Sequence, residues 1–195
     1  MVTHVIEKDP SDERGTLLAF VEAQRGGLRR ALLGLTDEQA ARRTTAGELT
    51  LGGLLKHVAE TEDTWVRRAQ GIAPEIPRDP SNWGDSFRIL EDESVAGMLA
   101  YWDRVAADTE RFIRAVPSLD DTFPLPDAPW FPPSTRVSMR WLLAHLVEEI
   151  ARHAGHADII RESLDGKTAF TLVAEAEAEA EAEAEAGAGG PERAE

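Results

Sequence analysis

Apolar side chains recur at spacings of three, four and seven residues over four long stretches of the chain, a pattern that predicts four amphipathic helices. The stretches cover residues 11–35, 50–71, 94–116 and 136–164. Ser11 is a candidate N-cap for the first helix, Pro117 stops the third, and Gly166 is placed to terminate the fourth. The sequence TDEQ at 36–39 has the form of a capping box and predicts a short additional helical turn.

Two long connections between these helices are rich in proline. Residues 72–92 contain three prolines and show neither helical nor strand periodicity, so we expect an ordered loop. Residues 117–136 contain six prolines together with Trp130 and Phe131, and such a rigid, apolar loop is often a lid or a pocket wall. Since no strand pair competes with the helices, the pattern predicts an all-α fold, an antiparallel four-helix bundle over residues 1–166.

The remainder, residues 167–195, is dominated by alternating Ala and Glu. Glu at every second position places like charges four residues apart, so we expect this acidic tail to be disordered or a frayed helix. Eight Glu and one Arg in residues 174–195 contribute −7 to the formal net charge of −15, which leaves −8 on the rest of the chain.

This charge balance excludes some classes of partner. An acidic chain without a Lys/Arg cluster lacks the electrostatic footprint of nucleic-acid binding and is repelled by anionic membrane surfaces. No apolar stretch reaches membrane-spanning length, and the first residues do not resemble a signal peptide, so a cytoplasmic location is expected. The sequence leaves a homodimer open.

The absence of cysteine means that only His and carboxylate side chains can hold a metal ion. Glu149 and His153 lie four residues apart on the flank of the apolar stripe of the last predicted helix, so both point to the same side. Glu148 points about 100° away and is placed to pair with Arg152. A third ligand has to come from a facing helix, where His57 lies next to the apolar side.

Two imidazoles and one carboxylate without a fourth protein ligand are typical of a catalytic zinc site, and they also suit iron or nickel. The alternative is an ordinary bundle in which these groups form His–Glu hydrogen bonds without an ion. His145, four residues before Glu149, is a second candidate for the third ligand.

Other residues are candidates for the walls of a binding pocket. His156 lies three residues after His153 and is a candidate contact to a ligand or substrate. Trp65 lies two turns beyond His57, and Trp130 with Phe131 lies in the proline-rich loop, so all three are candidate pocket walls. For each of these aromatic residues taken singly, a purely structural role as a core or loop anchor is the favoured alternative.

The segments LTLGGLLKHVAETEDTWVRRAQG and MRWLLAHLVEEIARHAGHADIIRESLDG resemble the DinB-like superfamily of metal-binding four-helix bundles, especially its actinobacterial branch. The resemblance covers roughly residues 12–166. Many members carry one histidine on the second helix and a His-x-x-x-His pair on the last. This chain has Glu149 at the first position of the pair, as in mycothiol-dependent maleylpyruvate isomerases. The resemblance implies that His57, Glu149 and His153 bind a divalent metal, with zinc favoured over nickel or iron.

The resemblance also implies a function. Such bundles bind low-molecular-weight thiols, for example mycothiol, and some catalyse thiol-dependent transfer or isomerisation. The isomerases contain a further C-terminal domain where this chain continues into its acidic tail, so we expect a mycothiol-type S-transferase acting on a small electrophile. A metal-dependent hydrolase is one alternative, and a non-enzymatic bundle that binds a metal or a small molecule is the other.

Overall fold

The protein is a mainly helical bundle in a computed structural model that describes residues 4–188. The helices are α1 (Glu13–Ala31), α2 (Asp37–Ala40), α3 (Leu51–Gln70), α4 (Val95–Ala115), α5 (Met139–Asp165) and α6 (Ala169–Ala188). A 3₁₀ turn covers Trp83–Phe87, and two short strands, β1 (Thr122–Pro124) and β2 (Arg136–Ser138), pair antiparallel. The predicted all-α class is confirmed. Within residues 4–188, no helix combines the length and apolar character needed to cross a bilayer.

Local capping signals set the ends of the helices. The N-caps are Asp12, Thr36, Thr50, Ser94 and Ser138, and each side-chain oxygen accepts a backbone N–H. The predicted cap of the first helix is wrong by one residue, because the Ser11 hydroxyl donates to Asp9 and the Asp12 carboxylate caps instead. Thr36 and Gln39 form the predicted capping box. Gly166 ends α5 with a φ of 79°, as its position predicted.

The core lies where α1 packs along α5 and where α3 packs against both α4 and α5. Its fully buried side chains come from α1, α3, α4 and α5 and include Leu28, Leu54, Trp102, Leu142 and Leu146. Burying this apolar surface is the main force that holds the helices together. The packing of α3 on α5 also determines which polar side chains of these two helices can meet.

A buried polar cluster centred on Glu62 ties three helices together. The Glu62 carboxylate of α3 accepts hydrogen bonds from the Arg25 guanidinium of α1, from Trp102 Nε1 of α4 at 2.8 Å and from Thr109 Oγ1 of α4 at 2.6 Å. The carboxylate and the guanidinium are both nearly inaccessible to solvent. A charge in this position is stable only while its partners remain, so the cluster fixes how α1, α3 and α4 are arranged.

The connection before α5 differs from the prediction of an irregular loop with a helix from Arg136. Residues 136–138 form β2 instead, with Phe123 opposite Val137, and the helix begins at Met139. Phe123 is buried in the core, so the short sheet anchors both ends of the proline-rich loop to the bundle.

The Ala/Glu-rich segment forms the helix α6 over Ala169–Ala188. Its first turns pack on α1, where Leu172 and Ala176 are buried, and Lys167 pairs with Glu175 at 2.8 Å. The expectation for residues 189–195 lies outside the described residues. The domain boundary at 166 stays a prediction.

Candidate metal centre and adjoining cleft

Helices α3 and α5 bring together the three predicted metal ligands. The Nε2 atoms of His57 and His153 each lie 3.2 Å from Oε1 of Glu149. One potential ligand atom from each residue lies within 4.8 Å of the other two, and His153 is buried while the other two are partly buried. Among the His and acidic side chains that the structure describes, these three have ligand atoms that converge in this way. We call these three residues the triad.

Aromatic contacts hold the His57 ring in place. It stacks on Phe87 with ring centroids 4.2 Å apart and meets the His153 ring edge-on at 4.8 Å. Phe87 can approach because Gly53 lies one turn before His57: a Cβ at Gly53 would come within 2.0 Å of the Phe87 carbonyl oxygen. The glycine in the sequence LGGLLKH therefore allows the 3₁₀ turn to lie against α3.

The charges of the triad suit a divalent cation. Hydrogen bonds from His153 and His57 hold the pKa of Glu149 well below its usual range, so this carboxylate is ionised at neutral pH. Two imidazole nitrogens and one carboxylate oxygen are the donor set that zinc, nickel and iron accept in proteins. The residues present therefore fit the metal that the sequence implies, although the geometry does not select one of these metals.

The remaining histidines of α5 lie beside the triad rather than in it. The His145 ring stacks on Trp141 at 5.0 Å and meets Trp65 edge-on at 4.7 Å, and burial lowers its pKa. The His156 ring lies 5.5 Å from that of His153. His145 and His156 each carry one buried ring nitrogen with no hydrogen-bond partner in the described chain. The contact predicted for His156 with a ligand stays a prediction.

The adjacent residues Glu148 and Glu149, which we call the EE pair, point in different directions, as their helical positions predict. Glu148 forms an ion pair with Arg152 at the surface, and Glu149 points into the triad. Both ion-pair partners at position 148 and 152 are more than half exposed, so this pair contributes little to stability.

A cleft of about 380 Å³ opens beside His57. Three predicted wall residues, Trp65, Trp130 and Phe131, line it. The structure adds Trp83 and Arg68, which the sequence analysis did not single out. Trp130 is 75% exposed and Trp83 is 58% exposed, and these are large apolar surfaces to leave in water.

Ion pairs fix the 72–92 loop that forms one side of the cleft. Arg78 of the loop donates to the buried Glu60 of α3 at 2.7 and 2.5 Å. Buried Lys56 of α3 donates to Glu93 at 2.6 Å, just after the loop. These pairs hold the loop and its 3₁₀ turn against α3, and so place Trp83 at the mouth of the cleft.

Comparison with known proteins decides the family. Residues 16–166 match the family described as Mycothiol-S-transferase. The chain belongs to the mycothiol S-transferase family. This confirms the DinB-like resemblance, since the match spans the bundle and all three residues of the triad. No curated protein matches the chain.

A solved structure supports the fold of this mycothiol S-transferase family member. The crystal structure of a conserved protein from Enterococcus faecalis is similar to the chain with a TM-score of 0.63 and 14% sequence identity. The similarity covers 80% of this chain and 98% of that one. At this level of identity the comparison shows a shared fold and nothing about activity.

Proposed function

We propose that the protein is a divalent-metal-dependent S-transferase that joins a low-molecular-weight thiol of the mycothiol type to a small electrophile. Membership in the mycothiol S-transferase family supports a low-molecular-weight thiol as one of the two substrates. The observation that carries the proposal is the convergence of His57, Glu149 and His153 beside an aromatic cleft large enough for a small molecule. Zinc as the metal and a cytoplasmic location are further parts of this proposal.

The triad would hold the metal through the Nε2 atoms of His57 and His153 and through Glu149. A bound divalent cation lowers the pKa of a coordinated thiol and so supplies a thiolate near neutral pH. The Glu149 carboxylate offsets part of the cation's charge in a partly buried place, where an unpaired charge is costly. Because the chain has no cysteine, the sulfur nucleophile has to come from the thiol substrate.

The rest of the chemistry is a single exchange of bonds. The thiol loses its proton to solvent water, its sulfur forms a bond to an electrophilic carbon, and that carbon releases its leaving group with the electron pair of the broken bond. Trp65, Trp130 and Phe131 would orient the electrophile and exclude water from His57. Holding the two reactants together is itself a large part of such catalysis.

The test begins with the metal content of untagged protein, measured by plasma mass spectrometry for wild type and His153→Ala. We expect close to one ion per wild-type chain and a loss of the ion in the variant, whose fold is checked by circular dichroism. The second step measures conjugation of mycothiol to 1-chloro-2,4-dinitrobenzene. Metal-loaded protein without conjugation above the uncatalysed rate would contradict the transferase, and protein that stays metal-free after reconstitution would contradict the metal site.

A further inference from the structure

Arg68 is a half-buried cation in the cleft without a partner. It lies in the last turns of α3 and lines the same cleft as His57 and Trp65. Among residues 4–188 it makes no side-chain hydrogen bond, ion pair or ring contact, unlike the arginines nearby. A guanidinium that has lost part of its hydration and gained no partner is available to a ligand.

The arginines next to Arg68 in the chain and in the cleft are, in contrast, paired. Arg67, the adjacent residue, pairs with Asp63 at 2.6 Å and with Glu75 at 3.3 Å. Arg78, the other arginine of the cleft, is neutralised by Glu60. The acidic side chain that lines the cleft is therefore already occupied, and Arg68 leaves the cleft with an uncompensated positive charge.

This local charge has the opposite sign to that of the whole chain, whose formal net charge is −15. An anionic ligand is repelled by most of the protein surface, so it needs a fixed cation to bind. The planar fork of arginine matches a carboxylate with two parallel hydrogen bonds. Three of the five tryptophans, Trp65, Trp83 and Trp130, line the same cleft and offer apolar surface to the rest of the ligand.

The positions on α3 set the length of such a ligand. His57 and Arg68 are eleven residues apart and face the same cleft, which corresponds to roughly 16 Å along the helix axis. Thr61, Thr64 and Trp65 lie between them on the same face. A molecule that contacts both ends must be elongated, with its anionic group remote from its reacting end.

We propose that Arg68 binds the carboxylate of an elongated ligand whose apolar, planar body lies against Trp65, Trp83 and Trp130 and whose other end reaches His57. The ligand's role as a substrate rests on the proposed S-transferase function, whereas the Arg68 subsite does not depend on it. The carboxylate belongs to the electrophile, because mycothiol, the thiol of the proposed function, has no carboxylate.

The first experiment measures binding alone. Calorimetric titrations use 6-(2-naphthyl)hexanoate and its primary amide, which share a body and differ in charge, with wild type, Arg68→Gln and Arg114→Gln. Arg114 is the matched control because it lies in the last turn of α4 and pairs with Glu110 at the surface. We expect Arg68→Gln to weaken binding of the acid about tenfold or more, and to leave amide binding unchanged. Arg114→Gln should change neither.

Two results would overturn the subsite. One is that wild type binds the acid and the amide with equal affinity. The other is that Arg68→Gln loses affinity for the acid and for the amide by the same factor. The same titrations on His153→Ala separate this subsite from the metal: the preference for the acid should persist there. A protein that prefers the acid through Arg68 and conjugates no thiol would refute the transferase and keep the subsite.

The second experiment tests whether the carboxylate that Arg68 binds is that of the electrophile. Conjugation rates are measured with 6-(4-chloro-3,5-dinitrobenzamido)hexanoate, whose carboxylate is remote from its reacting carbon, and with the primary amide of this acid. A KM that rises in Arg68→Gln for the acid and stays constant for the amide assigns the carboxylate to the electrophile. A KM for mycothiol that rises with either electrophile would contradict this assignment, because mycothiol has no carboxylate. Unchanged KM values throughout would show that the subsite takes no part in transfer.

Discussion

His57 Nε2 lies 3.2 Å from Glu149 Oε1, although 92 positions separate these residues along the chain. His153 Nε2 contacts the same oxygen at the same distance. Without a metal, both imidazoles can donate an Nε2 proton to this one carboxylate oxygen. Coordination needs the Nε2 lone pairs instead, so metal binding must displace or relocate these protons and should weaken as the pH falls.

Glu149 and Glu148 form a matched pair for testing the triad. Glu149→Gln keeps the shape of the side chain and removes its charge, so metal affinity should fall by at least about tenfold. Glu148→Gln removes only a surface ion pair and should leave the affinity unchanged. Competition with a chelating dye measures both values. Equal losses in the two variants would contradict the placement of Glu149 in the triad.

The pKa of Glu149 predicts an acid-sensitive contribution to the stability of metal-free protein. Hydrogen bonds from His153 and His57 lower this pKa below the ordinary value of 4.5, so the folded state binds the proton less readily than the unfolded state. The resulting stabilisation is present above pH 4.5 and is lost as the pH falls further. Urea unfolding should therefore show the advantage of wild type over Glu149→Gln shrinking in acid. A constant difference from pH 6 to pH 3 would contradict it.

The lowered pKa of His145 predicts a second effect of pH on folding stability, in a higher pH range. Burial between Trp65 and Trp141 lowers its pKa from 6.5, so below that pH the unfolded chain binds a proton more readily than the folded chain. Folding stability should fall as the pH drops through this range, and less steeply in His145→Gln. The slopes of unfolding free energy between pH 7.5 and pH 5.5 provide the measurement, since the variant's own packing loss is constant with pH. Identical slopes of unfolding free energy against pH in wild type and His145→Gln would contradict the prediction.

Breaking the buried cluster around Glu62 at one partner should be strongly destabilising. Glu62→Ala leaves the buried Arg25 guanidinium without its main partner and should cost about 3–5 kcal/mol. Replacing both charges, in Arg25→Met with Glu62→Leu, should restore only part of the loss, because no buried charge remains but the Trp102 indole N–H loses its acceptor. Chemical unfolding of the three variants measures this. A double variant less stable than Glu62→Ala would show that the charges themselves are required.

The helix α6 can be tested through one buried and one exposed residue. Leu172 is 1% exposed, and Leu172→Ala should cost about 2–4 kcal/mol if α6 belongs to the folded unit. Phe170 is 89% exposed, and Phe170→Ala should change stability by less than about 0.5 kcal/mol. Thermal unfolding compares them. No loss in Leu172→Ala would instead support the boundary predicted at residue 166.

The sequence predicted the helices within a few residues because their ends depend on local groups, such as the hydroxyls of Thr50 and Ser94 and the backbone freedom of Gly166. The different roles of Glu148 and Glu149 could also be predicted, since helical geometry alone points the two side chains in different directions. The partner of Glu149 was harder to predict, because it depends on how α3 packs against α5. His57 was identified by its place next to an apolar face.

The 72–92 loop could not be predicted in this way. Its position depends on pairs between distant residues, such as Arg78 with Glu60, and on the space that Gly53 leaves for Phe87. No periodic pattern records such contacts, so Trp83 gave no signal of its own. Arg68 did leave one, since it lies on the same face of α3 as His57, but its lack of a partner is visible only in three dimensions.

His57 belongs both to the triad and to the wall of the cleft. Any ligand that changes the energy of this ring when it binds in the cleft must alter the affinity for the ion, and the ion must alter the affinity for the ligand by the same factor. Stacking on Phe87 extends this linkage to the 72–92 loop. The fraction of molecules loaded with metal in a cell would then follow the supply of the cleft's ligand as well as the supply of the ion.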